Sequence, residues 1–263
     1  MTGLPYWQVD AFAERPFSGN PAGVVLLGFP ISKETMQAIA AEIGLPATAF
    51  VEPADDDGAH PIHWFDPTRP IGLCGHATLA AGHVVLSQCE GNARFVAPDG
   101  RSLQVTAHGD RRELALPAIP TAPRDLPELA AFLGAAPAET RFNDDGYALA
   151  IYRAAEDVER LSPDFAALRS LGWQVTATAA ARERRAEAIV SRVFTRVGGE
   201  DQATGSAHAA LTPYWAGRLA ASSFEARQAS ARGATFGCTL DGDMVRLSGG
   251  CVTVIEGTLY PPG

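Results

Sequence analysis

Two stretches of this 263-residue chain gather chemistry-bearing side chains around a glycine. The first is Leu73-Cys74-Gly75-His76-Ala77-Thr78, preceded by Trp64-Phe65-Asp66-Pro67-Thr68. The second is Asp201-Gln202-Ala203-Thr204-Gly205-Ser206-Ala207-His208, preceded by Val193-Phe194-Thr195. Both read as strand, loop, glycine, helix, with Phe65 ten residues before Gly75 and Phe194 eleven before Gly205. A glycine-led helix start presents backbone N–H groups and the positive end of the helix dipole, so each copy makes a small anion site. Two such sites facing one another would hold a small carboxylate. The groups around them, a thiol at Cys74, an imidazole at His76, a carboxyl at Asp201 and hydroxyls at Thr204 and Ser206, are those that hold and move protons.

The two copies stand nearly half a chain length apart, which predicts a duplicated half and not a short repeat. We expect an N-terminal lobe over 1–117 and a C-terminal lobe over 118–263, with the last strand pairing back into the first lobe. Pro117, Pro120, Pro123 and Pro127 forbid a regular helix or interior strand between them, so the crossing falls there. In the first lobe the patterning predicts strands over 7–12, 22–27, 48–51 and 62–65, and a helix over 33–43 with Ser32 as N-cap and Gly44 just past its end. Asp55-Asp56-Asp57-Gly58 reads as a turn. The first motif helix continues over 78–86, and its alanine face (Ala77, Ala80, Ala81) suits a helix enclosed by other elements. In the second lobe we expect extended chain over 147–152, a helix over 163–171, a strand over 188–194 and the second motif helix over 206–216, followed by Arg218 and Leu219. Strands over 224–229, 235–240, 244–247 and 252–260 close the chain, with Asp241-Gly242 as a hairpin turn.

Composition narrows the function class. The chain is 46% hydrophobic and 19% charged, enough to bury one large core or two modest ones. Its 21 basic and 30 acidic residues give a net charge of −9, and no basic run alternates with aromatics, which argues against nucleic acid and anionic membranes as partners. The one dense basic stretch, 182–185, reads as a solvated loop or strand edge. The start lacks a basic region followed by an apolar core, and no stretch reaches about 18 uninterrupted apolar residues, so a cytoplasmic location is expected. Cys74, Cys89, Cys238 and Cys251 have neither zinc-ligand nor disulfide-framework spacing. The last three read as buried small hydrophobes.

Several segments taken together are recognisable. Val9-Asp10-Ala11-Phe12, Arg15-Pro16-Phe17-Ser18-Gly19-Asn20-Pro21-Ala22-Gly23, both glycine motifs, Phe224-Glu225-Ala226-Arg227-Gln228, Arg232-Gly233 and the stretch from Ser248-Gly249 to Val252-Thr253-Val254 resemble the PhzF-like family of phenazine biosynthesis. The likeness spans nearly the whole chain. It implies the diaminopimelate-epimerase-like α/β (α+β) fold: two pseudo-symmetric lobes, each a curved mixed sheet around a central helix, with the active site in the cleft between them. It also implies a cofactor-independent isomerase or epimerase acting by proton transfer on a small carboxylate, with no metal, and a homodimer. Carried over by position, His76, Asp201 and Ser206 match polar active-site residues, while Gly75, Gly205, Thr204, Asn20 and position 47 line the substrate. Helix N-termini facing a developing enolate are suited to stabilising it.

One departure qualifies that transfer. Relatives that isomerise the phenazine precursor carry a general-base glutamate in a Ser-Glu-Thr-Ala-Phe type segment, and here the run is Pro46-Ala47-Thr48-Ala49-Phe50. A methyl group cannot accept a proton. Glu42 and Glu52 are nearby in sequence, yet a displacement of five residues takes a side chain out of reach. The wider superfamily places a cysteine before each motif glycine; this chain has Cys74 and Thr204 there. Cys74 reads as a packed small residue or as a base whose pKa the helix start lowers. His76 reads as a helix cap or a site residue, Asp201 as a dipole partner or a proton carrier, Ser206 as an ordinary first-turn serine or a substrate contact, and His208 as a packed histidine or a ligand. Two functions of different class follow: an isomerase with altered proton-transfer machinery, or a catalytically silent relative that binds a small acid or a protein.

Overall fold

The computed structural model describes residues 2–89, 91–182 and 185–261. Of the basic stretch 182–185, Glu183 and Arg184 lie outside the described residues. Contacts divide the chain into two compact units, Met1–Ala115 with Ser248–Gly263, and Leu116–Leu247.

In the first unit β1 (Leu4–Ala11) pairs antiparallel with β2 (Asn20–Leu26). The helix α1 (Lys33–Ile43) then crosses over to β3 (Ala47–Val51), which lies parallel to β2. Next come β4 (Ala59–Phe65), antiparallel to β3, and the short β5 (Pro70–Ile71) leading into α2 (Gly75–Leu86). β6 (Asn92–Val96) lies parallel to β4, and β7 (Ser102–His108) and β8 (Arg111–Pro117) follow as antiparallel neighbours. The final strand, β17 (Met244–Leu259), pairs with β1 and with β8, closing the strands around α2.

The second unit repeats this pairing scheme. It holds β9 (Ala122–Pro123), α3 (Glu128–Leu133), β10 (Glu139–Asn143), β11 (Tyr147–Ile151), α4 (Ala155–Glu159) and α5 (Phe165–Ser170). After these come β12 (Gln174–Ala180), β13 (Ile189–Phe194), β14 (Glu200–Asp201), α6 (Gly205–Leu219), β15 (Ser223–Gln228) and β16 (Ala234–Asp241). β10 is antiparallel to β11, β11 parallel to β12, β12 antiparallel to β13 and β13 parallel to β15, the same succession as β1 to β6. The short β14 pairs with the end of β13 as β5 does with β4. The mixed α+β architecture, a curved strand-rich sheet with a central helix per unit, is the one the resemblance implies.

Burial explains which helix is central. α2 buries His76, Ala77, Thr78, Leu79, Ala80, Ala81, Gly82, Val84 and Val85, all round its circumference, and carries no Asp, Glu, Lys or Arg. Such a helix is stable only when enclosed. A Cβ on Gly82 would come within 2.5 Å of the Val105 side chain on β7, so the helix approaches that strand as closely as a glycine permits. α1 is instead amphipathic: Ser32 caps it through Thr35 N–H, Gly44 ends it at φ 69°, and Met36 and Ile39 bury against Val25, Phe50 and Phe65. Each of those two side chains contributes about 1.5–3 kcal/mol by leaving water. Because side chains alternate along a strand, Val25, Phe50 and Phe65 face α1, while Asn20, Ala22, Ala47, Ala49 and Trp64 face the opposite, inner side.

Three expectations need correction. α6 runs to Leu219 and includes Arg218, because the chain turns only at Ala220, a non-glycine residue at φ 50°. The two closing strands are one continuous strand, β17: Gly249 and Gly250 do not break it but allow it to approach Phe12 and the Ala13 carbonyl. The proline-rich crossing carries only a two-residue edge pairing of Ala122 and Pro123 with Phe142 and Arg141, neither a helix nor an interior strand, as its prolines require. Cys89 is exposed, since it lies beyond the end of α2, with Sγ 3.3 Å from the Val85 carbonyl. Cys251 is partly buried, Cys238 is buried, and the four cysteines form no disulfide. Pro213 sits inside α6, where it removes the donor for the Ala209 carbonyl; the Ile119 N–H supplies one at 3.1 Å.

Candidate active site

The two helix starts are built alike. Cys74 caps α2 with φ −134° and ψ 100°, and Thr204 caps α6 with φ −121° and ψ 101°. In neither does the cap side chain accept from the first turn, so both starts direct backbone donors outward. Four residues on, a side chain locks each cap carbonyl: the Thr78 hydroxyl donates to Cys74 O at 2.7 Å, and His208 Nδ1 lies 2.9 Å from Thr204 O. Thr78 and His208 occupy the same place in the two copies.

In the first unit, His76 Nδ1 lies 3.4 Å from Asn20 Nδ2 and 3.5 Å from Cys74 Sγ. An imidazole nitrogen facing an amide N–H and a thiol carries the lone pair, which puts the ring proton of the neutral form on Nε2. Asn20 is set by the preceding turn. Gly19 adopts φ 63° where a Cβ would collide with the Ala11 carbonyl, and the buried Asp10 accepts the Phe17 N–H at 2.7 Å. Ala47 is fully buried, in register with Ala22, two residues along β2 from Asn20. Glu42 is exposed on α1, and Glu52 Oε1 is 3.1 Å from His63 Nε2.

In the second unit, Asp201 Oδ2 accepts the Thr204 hydroxyl at 2.6 Å and Oδ1 accepts the Gln202 N–H at 2.9 Å. The fully buried Gln228 on β15 holds this segment from behind: its Nε2 donates to Asp201 O at 2.7 Å and its Oε1 accepts Thr204 N–H at 2.9 Å. The Ser206 hydroxyl donates to Gln174 Oε1 at 3.3 Å. Gln228 and Gln174 are contacts the sequence reading does not name. Gln228 falls within a matched segment, but nothing in a single sequence ties it to residues 201–204, and Gln174 carries no signal at all.

Cys74, His76 and Asn20 thus meet in the first unit, and Asp201, Thr204 and Ser206 share one helix start in the second. His208 is fully buried and stacks on Phe236 at 3.7 Å, the packed arrangement of the two readings. A groove of about 770 Å³ opens between α1 and the β4–β5 segment, bordered by Lys33, Gln37, His63, Phe65 and Ile71; none of the carried-over site residues lines it.

Burial lowers the His208 pKa to about 4, opposed by the hydrogen bond to the Thr204 carbonyl. An unfolded histidine protonates near 6.5, so between pH 6.5 and 4 the unfolded chain binds the proton that the folded one refuses. The stability this contributes is complete above pH 6.5 and is lost as pH falls towards 4, in total about 3 kcal/mol. Urea unfolding at pH 7 and pH 4 is expected to show a loss larger by about that amount in the wild type than in His208→Asn. Equal losses in the two proteins would show that His208 is not held neutral.

A curved mixed sheet wound on a central helix, duplicated, with a polar glycine-led helix start in each copy, defines the class as the epimerase-like fold. Comparison with known proteins specifies it. Residues 9–257 match the family described as phenazine biosynthesis-like protein. Two uncharacterized isomerases of Pseudomonas aeruginosa are 41% and 39% identical to this chain, over 97% and 98% of it and 98% and 99% of their own lengths. A crystal structure of a PhzF-family phenazine biosynthesis protein from Enterococcus faecalis superposes with a TM-score of 0.91 at 35% identity, covering 98% of this chain and all of that one. The chain belongs to the PhzF-like family, and the two Pseudomonas aeruginosa relatives are named isomerases. No described helix is long and apolar enough to cross a membrane.

Proposed function

We propose that the protein is a cofactor-independent isomerase or epimerase that moves a proton on a small carboxylate, without the general-base glutamate of its phenazine-forming relatives. The observation that carries this reading is the matched build of the two helix starts. Both keep uncapped first turns suited to an anion, and each holds a pair able to pass a proton, Cys74–His76 in one and Asp201–Thr204 in the other. In this reading the helix starts at Gly75 and Gly205 bind the acid and stabilise the enolate as it forms. The proton leaves carbon for the Cys74 thiolate, whose own proton has first moved to His76 Nδ1 to give an imidazolium; Asp201, entering the cycle as the carboxylic acid, returns a proton through the Thr204 hydroxyl to another position on the substrate, and exchange with water resets both groups. Ser206 and Asn20 orient the acid. A homodimer in the cytoplasm belongs to the same proposal, on the family resemblance.

The burial of a methyl group at position 47 favours the second reading, a silent relative that binds an acid without converting it. Isotope exchange separates the two. With a panel of unsaturated ring carboxylates in heavy water, we expect enzyme-dependent deuterium uptake at carbon next to the carboxylate for at least one acid. Acids that bind but never exchange would give the silent reading the stronger claim.

A further inference from the structure

Trp64 is 1% exposed, and its indole Nε1–H has no hydrogen-bond partner among the described residues. A buried donor left unmatched is costly and asks for an acceptor. Strand alternation places the side chain. Its neighbour Phe65 packs with Met36 and Ile39 of α1, edge-on to Phe50 at 5.7 Å, so Trp64 projects from the other side of β4. That inner side is shared with Ala49, its direct partner on β3, and with Ala47, its diagonal neighbour. Diagonal neighbours lie roughly 7–8 Å apart, within reach of an indole. Position 47 is where the family glutamate stands, and on the adjacent β2 the same face carries Ala22 and then Asn20, which contacts His76. A carboxylate side chain at position 47 would give the indole an acceptor; the alanine gives none.

We propose that Trp64 is a substrate-contacting residue whose indole N–H donates to a carboxylate or carbonyl oxygen of the bound acid, on the inner face of β3 and β4 beside Ala47. This rests on the reading of the site as one for a small acid, and it assigns to the first unit a neutral donor where relatives carry a base. The site then takes an acid with an acceptor oxygen on the side facing β3, and Ala47 and Trp64 act together as a specificity device. The alternative direction for the indole is the groove on the α1 side, which Trp64 also borders.

The test reads the indole directly. With 15N-labelled protein, and Trp64→Phe to identify its cross-peak among the four tryptophans, Ala47→Glu is expected to shift that peak downfield. The shift should follow pH as the new carboxyl ionises. A Trp64 peak that ignores both the substitution and the pH places the indole elsewhere and overturns the proposal. The second arm adds benzoate to the wild type. Selective movement of the Trp64 peak, with binding weakened tenfold or more in Trp64→Phe, supports the contact. If the backbone amides of Gly75 and Gly205 move while the Trp64 peak does not, the acid site stands and this inference fails. If benzoate and the unsaturated ring acids move nothing, both fail.

Discussion

Asp201→Asn is expected to slow deuterium exchange on the native acid by about 10²- to 10⁴-fold, the range that a positioned acid or base contributes. The substitution is a clean one. Asp201 makes its contacts through both oxygens, with the Thr204 hydroxyl at 2.6 Å and the Gln202 N–H at 2.9 Å. Asparagine fills the same volume and keeps an acceptor, and the hydroxyl can turn to accept from the new amide. What disappears is the ability to carry a proton as a carboxyl group. Unfolding curves that overlay the wild type would assign the loss to chemistry. Exchange at the wild-type rate in a folded Asp201→Asn protein would remove Asp201 from proton transfer and leave it as a partner of the helix dipole.

Ala47→Glu is expected to act in the opposite direction, raising isomerisation of a cyclohexadiene carboxylate of the phenazine-precursor type by about 10²- to 10⁴-fold. Thr48, Ala49 and Phe50 follow Ala47 as the family resemblance expects, and β3 holds the register Ala47–Ala22 that points this position to the inner face. A carboxyl buried there has its charged form disfavoured, which raises its pKa and makes it a stronger base. Failure has two forms with different meanings. Binding of the ring acid without turnover would show that the remaining groups are no longer aligned, and would favour the silent relative. Absence of binding would show a pocket remade for another acid, and Cys74→Ala assayed on that acid would then show whether the thiol serves as base.

Local chemistry was the most legible part of the sequence. Ser32 and Gly44 bound α1 at the residues expected because capping involves only neighbours in the chain. The glycine motifs mark the starts of α2 and α6 for the same reason. Where an element ends through tertiary contact, the pattern is silent. α3 and α4 are six and five residues long and are held by burial of Leu129, Leu133, Ala155 and Val158 in the core of the second unit, which no short periodicity announces. Gly249 and Gly250 look like a break between strands, yet their role is a close approach to Phe12 and Ala13, distant in sequence. The site divides the same way. Cys74, His76, Asp201 and Ser206 lie in contiguous motifs and can be named, whereas Gln228 reaches Asp201 and Thr204 only because β15 lies beside β13. Trp64 is visible as a motif residue, but its unmatched indole N–H emerges only from burial and strand phase.

The central proposal is that the glycine-led helix starts at Gly75 and Gly205 bind a small acid. Titrating 15N-labelled protein with a ring carboxylate, and following the backbone amides of Gly75 and Gly205, tests it without any assumption about turnover. The account predicts that both amides move in the same titration with a single dissociation constant. Movement of one glycine alone, or of the two with separate constants, would contradict it.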